Sequence, residues 1–140
     1  MPKLDLTRVP EKTGSIYPAP YAEQMAGRRS LRLGQAGGLT QFGVNLVTLD
    51  PGARSSLRHW HQNEDEFVMV TEGLLMLVQD GGETLMGPGE CAAFPAGDRD
   101  GHCFVNRSDQ VGRFLVRPGR RRGSRSATCP RSRSSTRAST

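Results

Sequence analysis

Short apolar or alternating segments, each closed by a glycine or proline turn, follow one another along most of this chain. Eight of them are predicted β-strands: residues 42–49, 57–61, 66–71, 74–79, 83–86, 90–94, 102–106 and 113–116. Turn signals such as Asp50-Pro51-Gly52 and Asp80-Gly81-Gly82 separate them. Many short strands separated by turns predict an all-β fold, either a sandwich or a barrel.

Length and composition bound the fold further. With 140 residues, the chain is long enough for one domain with a single core. Hydrophobic residues make up 35% of it, and 17 glycines and 9 prolines supply many turns, which favours a β-rich chain over a helical bundle. We expect an N-terminal arm over 1–39, with helical turns at 22–29 and an edge strand at 30–34, followed by the all-β domain over 40–117.

Two observations predict a cytoplasmic location. No run approaches the roughly 18 apolar residues that span a bilayer, and the first residues, Met-Pro-Lys-Leu-Asp, lack the apolar core of a signal peptide. The cysteines show no CxxC or disulfide-framework spacing. Cys91 and Cys103 lie in apolar segments, so both are predicted to be buried thiols.

All three histidines fall where an antiparallel sheet can bring them together. His59 and His61 are one residue apart in a predicted strand, so their imidazoles lie on the same face. Glu66 opens the next apolar strand, and His102 follows two further strands. Three imidazoles and one carboxylate suit a divalent transition metal such as Fe, Mn, Ni, Co or Zn, and are too poor in oxygen for calcium. The identity of the metal stays open.

Each of these residues also has a purely structural interpretation. A lone histidine on a strand is more often a surface or core polar group than a ligand, but three with a glutamate in this spacing favour metal binding. Glu64 and Asp65 are interpreted as solvated members of an acidic turn, whereas Glu66 heads an apolar run. The turn glycines form no phosphate-binding loop, because neither GxGxxG nor a Walker pattern occurs.

The spacing of these residues resembles the first motif of the cupin family. In that motif a glycine precedes His-x-His, and three or four residues then separate the second histidine from a glutamate. Six further residues lead to a second glycine. Here His59-x-His61 is followed by four residues, Glu66, six residues and Gly73. The leading Gly52 stands six residues before His59, where the family usually has five.

The second cupin motif is also present, on Gly89, Pro95-Ala96-Gly97, His102 and Asn106, with four residues between Gly97 and His102 where the family has two. This resemblance covers residues 40–117 and implies a double-stranded β-helix, or jelly-roll barrel, with a metal bound inside. It implies His59, His61, Glu66 and His102 as the metal ligands, and we expect Asn106 to support the site or fix a turn. The family's habit also implies a homodimer.

What the chain does with the metal has two interpretations. Open coordination positions suit an enzyme that acts on a small organic substrate, such as the isomerases, cyclases and dioxygenases to which the resemblance points. The alternative is a non-catalytic module that binds a small ligand or senses metal. It stays open because no general base is evident beside the site, and the catalytic residues are unknown.

The last residues differ in character from the rest. Residues 113–140 contain nine arginines and no acid, whereas residues 1–112 contain 10 Lys or Arg and 14 Asp or Glu. Residues 118–140 have no large apolar side chain, so we expect a disordered tail. Such a tail can be an arm for nucleic acid or an acidic surface. The interpretation we favour is loss of the native reading frame near residue 117, and nucleic acid is not an expected partner of the domain.

Overall fold

Strands dominate the computed structural model, which describes residues 2–13, 26–56, 59–61, 64–118 and 126–128. The strands are β1 (Glu11–Thr13), β2 (Arg28–Arg32), β3 (Asn45–Leu49), β4 (His59–His61), β5 (Glu66–Glu72), β6 (Leu75–Gln79), β7 (Gly82–Met86), β8 (Cys91–Phe94), β9 (Cys103–Val105), β10 (Gly112–Arg117) and β11 (Ser126–Thr128). A 3-10 turn at Leu6–Arg8 and a short helix, α1 (Leu33–Ala36), complete the described elements. The predicted all-β class is confirmed.

The larger sheet has the strand order β1-β2-β3-β10-β5-β8, and its strand pairs are antiparallel. Its central strands alternate buried and more exposed residues, because side chains of a strand point to opposite faces in turn. The inward side chains of these strands are Val47, Leu49, Val68, Val70, Phe114 and Val116. One face of the sheet therefore forms half of the core.

The smaller sheet, of order β7-β6-β9, supplies the other half. Its inward side chains include Leu75, Leu77, Met86 and Phe104, which cluster with those of the larger sheet. A two-stranded sheet pairs β4 with β11 in antiparallel register, His61 opposite Ser126 and His59 opposite Thr128. Two antiparallel sheets around one apolar core give the predicted jelly-roll barrel.

Exposed ion pairs connect neighbouring parts of the barrel wall. Arg107, after β9, donates a pair of hydrogen bonds to the Glu83 carboxylate of β7, with Nη2 2.6 Å from Oε1. These hydrogen bonds hold the pKa of Glu83 below its ordinary value. In the larger sheet, Arg113 of β10 donates one hydrogen bond from Nη1 to the Glu72 carboxylate of β5 and another from Nε to the Thr48 hydroxyl of β3. Exposed pairs of this kind contribute little to stability singly.

The six strands predicted between residues 66 and 116 all occur, with ends within two residues of those predicted. The segment predicted at 42–49 forms a strand only over Asn45–Leu49. Of the strand predicted at 57–61, the described residues are His59–His61, which form β4. Within the described ranges, no helix is long and apolar enough to cross a membrane.

The N-terminal arm differs from the prediction. Arg28 and Arg29, predicted in a helical turn, begin β2 because they pair with Leu49 and Thr48 of β3. Residues 22–25 of the predicted turn lie outside the described residues. The strand predicted at 30–34 is not an edge, since β1 pairs with the other side of β2, and it ends at Arg32, where α1 follows.

The prediction of two buried thiols is correct for one of them. Cys103 is buried, as expected for a small apolar side chain in a strand. Cys91 is exposed on β8, which corrects the prediction. The reason is its strand position: Ala92, the next residue, packs against the core, so Cys91 points to the opposite face of the sheet.

Candidate functional site

Two of the predicted ligands, Glu66 and His102, meet in the interior of the protein. Glu66 is the first residue of β5, and His102 immediately precedes β9. Nε2 of His102 lies 3.1 Å from Oε1 of Glu66, and the two side chains are only 3% and 10% exposed. The fold therefore brings a carboxylate and an imidazole from positions 36 residues apart into direct contact.

An aromatic ring lies flat against this imidazole. Phe94, the last residue of β8, is the cross-strand partner of Glu66. Its ring centroid is 3.5 Å from that of His102, with the two planes 8° apart. One face of the His102 ring is therefore covered by a hydrocarbon surface, while its Nε2 faces the Glu66 carboxylate.

The other two predicted ligands, His59 and His61, are the first and last residues of β4. The predicted extended conformation of this segment is confirmed by its pairing with β11. The side chains of both histidines lie outside the described part of the structure. Their participation in the site therefore stays a prediction.

The extra residues between Gly97 and His102 form a folded loop. Asp98 accepts a hydrogen bond from the backbone N–H of Asp100 at 3.0 Å. The Asp100 carboxylate in turn accepts one from the backbone N–H of Asp80, in the turn between β6 and β7, at 2.8 Å. These bonds attach the longer loop to a neighbouring hairpin, and His102 still reaches Glu66.

The neighbouring carboxylates Glu64 and Asp65 have opposite environments, although both were predicted to be solvated. Asp65 is exposed, and its Oδ1 accepts a hydrogen bond from the backbone N–H of Ala96 at 2.8 Å. Glu64 is buried, with only 9% of its surface exposed, which corrects the prediction. Burial alternates from Glu64 through Glu66 to Val68, so Glu64 is on the inward side of the segment that leads into β5. The sequence signal for this is the period-two alternation of β5, which extends two residues ahead of Glu66.

Asn106 fixes the turn between β9 and β10. It is fully buried, and its side-chain amide donates to the carbonyl oxygens of Leu49 at 2.9 Å and Gln110 at 2.7 Å. Its Oδ1 accepts hydrogen bonds from the backbone N–H and the hydroxyl of Ser108. Of the two roles expected for Asn106, these contacts are those of a residue that holds a turn against a neighbouring strand.

The chemistry of the Glu66 and His102 donors fits a divalent transition metal. Ligand bonds from carboxylate oxygen or imidazole nitrogen to such ions are about 2.0–2.2 Å long, so two atoms 3.1 Å apart can bind one ion. Among the described side chains, no three His, Cys, Asp or Glu residues come together. The side chains of His59 and His61, the other two predicted ligands, are not among those that the structure describes.

The chain thus folds as an all-β barrel of antiparallel sheets, with a buried imidazole–carboxylate pair between strands. The family described as the cupin domain matches residues 45–117, more than half of the chain. This protein belongs to the cupin family. Comparison with curated proteins gives no significant match.

Several solved structures resemble the chain. A sugar phosphate isomerase of the cupin superfamily from Silicibacter pomeroyi is 63% identical, with a TM-score of 0.84, over 85% of this chain and 76% of that one. The polyketide cyclase RemF from Streptomyces resistomycificus is 25% identical, with a TM-score of 0.69, over 93% and 87%. A cupin-2 domain from Rhodospirillum rubrum, 17% identical with a TM-score of 0.70 over 91% and 80%, shows the likeness of fold alone.

Proposed function

We propose that this cupin is a metal-dependent enzyme that isomerises a small phosphorylated sugar, with His59, His61, Glu66 and His102 as the metal ligands. The observation that carries the proposal is the 63% identity to the chain described as a sugar phosphate isomerase. The buried contact between Glu66 and His102 supports the metal centre. The metal is one of Fe, Mn, Ni, Co or Zn.

Isomerisation between an aldose and a ketose moves a proton between two neighbouring carbons, and the chain needs a group that carries it. A bound metal would polarise the substrate oxygens beside that proton. Glu64 is our candidate for the proton carrier, because its carboxylate is buried and on the same side of the chain as Glu66. Glu64 takes the proton from one carbon and returns it to the other, while the hydroxyl proton passes from the oxygen that becomes a carbonyl to the former carbonyl oxygen, so that the product is an isomer of the substrate.

The competing function is a non-catalytic module that binds a small ligand or senses metal. Both functions use the same barrel and the same ligands, so metal binding alone does not separate them. Interconversion of an aldose phosphate and a ketose phosphate does. Tight binding of either sugar phosphate without interconversion is the result expected for the module.

The first test measures metal content and turnover together. The purified chain is stripped with a chelator, reloaded separately with each of the five metals, and analysed by plasma mass spectrometry. A panel of aldose and ketose phosphates is then followed by NMR. We expect close to one metal per chain and interconversion of at least one pair. A folded chain that takes up none of the metals would contradict the metal centre.

Two glutamates of the same strand give a matched comparison. Glu66→Gln removes the charged ligand from the buried end of β5 and should lose most of the bound metal. Glu72→Gln changes an exposed glutamate at the other end of β5, which pairs with Arg113, and should retain the metal. Equal metal content in the two variants would exclude Glu66 as a ligand.

We also propose that the chain forms a homodimer through the outer face of its larger sheet. In register across four strands, Leu31, Leu46, Leu115 and Met69 form a half-buried apolar row on that face. In a two-fold symmetric dimer the same patch of each copy forms the contact, so an apolar row can pack against the same row of the second copy. Two charged pairs on the same face, Arg113 with Glu72 and Arg29 with Asp50, are already formed within the chain.

The predictions on cellular location and on most of the arginine-rich tail remain without a structural test. A cytoplasmic location is part of our proposal, since sugar phosphates are charged metabolites expected inside cells. In the arginine-rich tail, Ser126–Thr128 forms β11, while the rest of 119–140 lies outside the described residues. Disorder of that remainder stays a prediction, as do its possible contacts with nucleic acid and the loss of reading frame.

A further inference from the structure

Phe94 connects the Glu66–His102 pair to the core of the protein. It is opposite Glu66 in the β5–β8 register, and its ring stacks on the His102 imidazole at 3.5 Å. Phe94 thus contacts one member of the pair and is the strand partner of the other. Both stacked rings are buried, with 9% of Phe94 and 3% of His102 exposed.

The Phe94 ring is the first of a row of three phenylalanine rings in contact. Phe104 of β9 meets Phe94 edge to face, with centroids 6.3 Å apart and planes at 81°. Phe104 in turn stacks on Phe114 of β10 at 5.3 Å. This row of three phenylalanines joins both sheets, and offset or edge-on contacts of this kind add to the stability of a core beyond the area that they bury. Phe94 is therefore a rigid support.

A rigid support matters for His102 because an imidazole can rotate about its χ2 bond, which is broad and weakly restrained. A flat ring in contact with one whole face prevents that rotation. Nε2 then stays directed at Glu66 before any ion arrives. A ligand fixed in its binding orientation loses less conformational entropy when it binds.

We propose that Phe94 is a positioning residue that fixes the His102 imidazole for metal binding; this role rests on the metal centre proposed above. Phe94 has no donor atom and acts only through His102. Residues that orient metal ligands from behind typically contribute about 10- to 100-fold in metal affinity. We expect an effect near the lower end, because a stack restrains the ring without donating a hydrogen bond to it.

The test compares two phenylalanine-to-leucine changes of the same row. Phe94→Leu removes the ring that contacts His102, whereas Phe104→Leu removes a buried ring with no stacking contact to His102. Dissociation constants for Zn²⁺ and Co²⁺ are measured by competition with a chelator, and metal-free stability by thermal unfolding. Both variants should unfold at a lower temperature. We expect Phe94→Leu alone to weaken metal binding, by about tenfold.

A conservative variant and a metal-free readout complete the design. Phe94→Tyr keeps an aromatic ring and should restore affinity. In the metal-free protein, the ring proton signals of His102 should move or broaden in Phe94→Leu and not in Phe104→Leu. Wild-type affinity in Phe94→Leu, or equal weakening in both leucine variants, would overturn the positioning role. Failure of the wild-type chain to bind any of the five metals, Zn²⁺ and Co²⁺ included, would instead overturn the metal centre and, with it, this role.

Discussion

Glu64 and Asp65 show how one position along an extended segment decides what a carboxylate can do. They are chemically alike and adjacent, yet Glu64 is buried and Asp65 holds the backbone of Ala96 at the surface. The difference follows from the alternation of side chains along the segment into β5. The proton transfer proposed for Glu64 depends on this buried, inward position, which Asp65 lacks.

This contrast gives a prediction for turnover. Glu64→Gln keeps the size and hydrogen-bonding capacity of the side chain but cannot carry a proton, so kcat for sugar phosphate isomerisation should fall about 100-fold or more. Metal content should remain unchanged. Asp65→Asn is the matched control and should keep turnover near the wild-type value. Undiminished kcat in Glu64→Gln would assign proton transfer to another group.

At the scale of elements, the β5–β6 connection depends on a glycine that two constraints require. Gly73 has φ of +74°, and a Cβ there would lie 2.5 Å from the carbonyl oxygen of Val111, just before β10. The first constraint is conformational and the second is a collision with backbone, which no side-chain rotation relieves. Gly89, before β8, has φ of +83°, and a Cβ added there would have nothing within 4 Å.

Alanine at these two glycines should separate the two costs. Gly89→Ala should destabilise the protein by about 1 kcal/mol, the cost of a left-handed backbone in an L-residue. Gly73→Ala adds overpacking against β10 and should cost roughly 3 kcal/mol in total. Chemical denaturation of the metal-free variants measures both. Similar losses would mean that β10 moves aside without cost.

At the scale of the whole molecule, the outer apolar row of the larger sheet predicts how two copies meet. Leu115 lies in the middle of that row, between Leu46 and Met69. A glutamate there would face its own copy across the two-fold axis, and like charges at an interface are strongly unfavourable.

Sedimentation velocity tests this interface. Leu115→Glu should convert the dimer to a monomer, while Leu85→Glu, at a leucine that is 55% exposed on β7 of the smaller sheet, should leave it dimeric. A monomeric wild-type chain would contradict the dimer. A Leu115→Glu variant that remains dimeric would place the contact on another face.

Much of the barrel was predictable because the pattern of its strands is local. From Glu66 to Arg117, period-two alternation and glycine turns set the strand ends closely, and two spaced motifs identified the family. The arm was harder to predict. Arg28 and Arg29 carry no strand pattern of their own, and they become a strand because β3 offers unpaired backbone groups to them.

The sequence alone therefore determined the all-β class and the positions of most strands along the chain, and it supplied the candidate ligands of the proposed metal centre, since alternation and ligand chemistry are local properties. Only the tertiary structure decided that His102 contacts Glu66, that Phe94 stacks on His102 and that Glu64 is buried. Those facts depend on which strands pair and on which residues lie opposite one another. Pairing between distant segments is fixed by the burial of one shared core, which no single segment encodes.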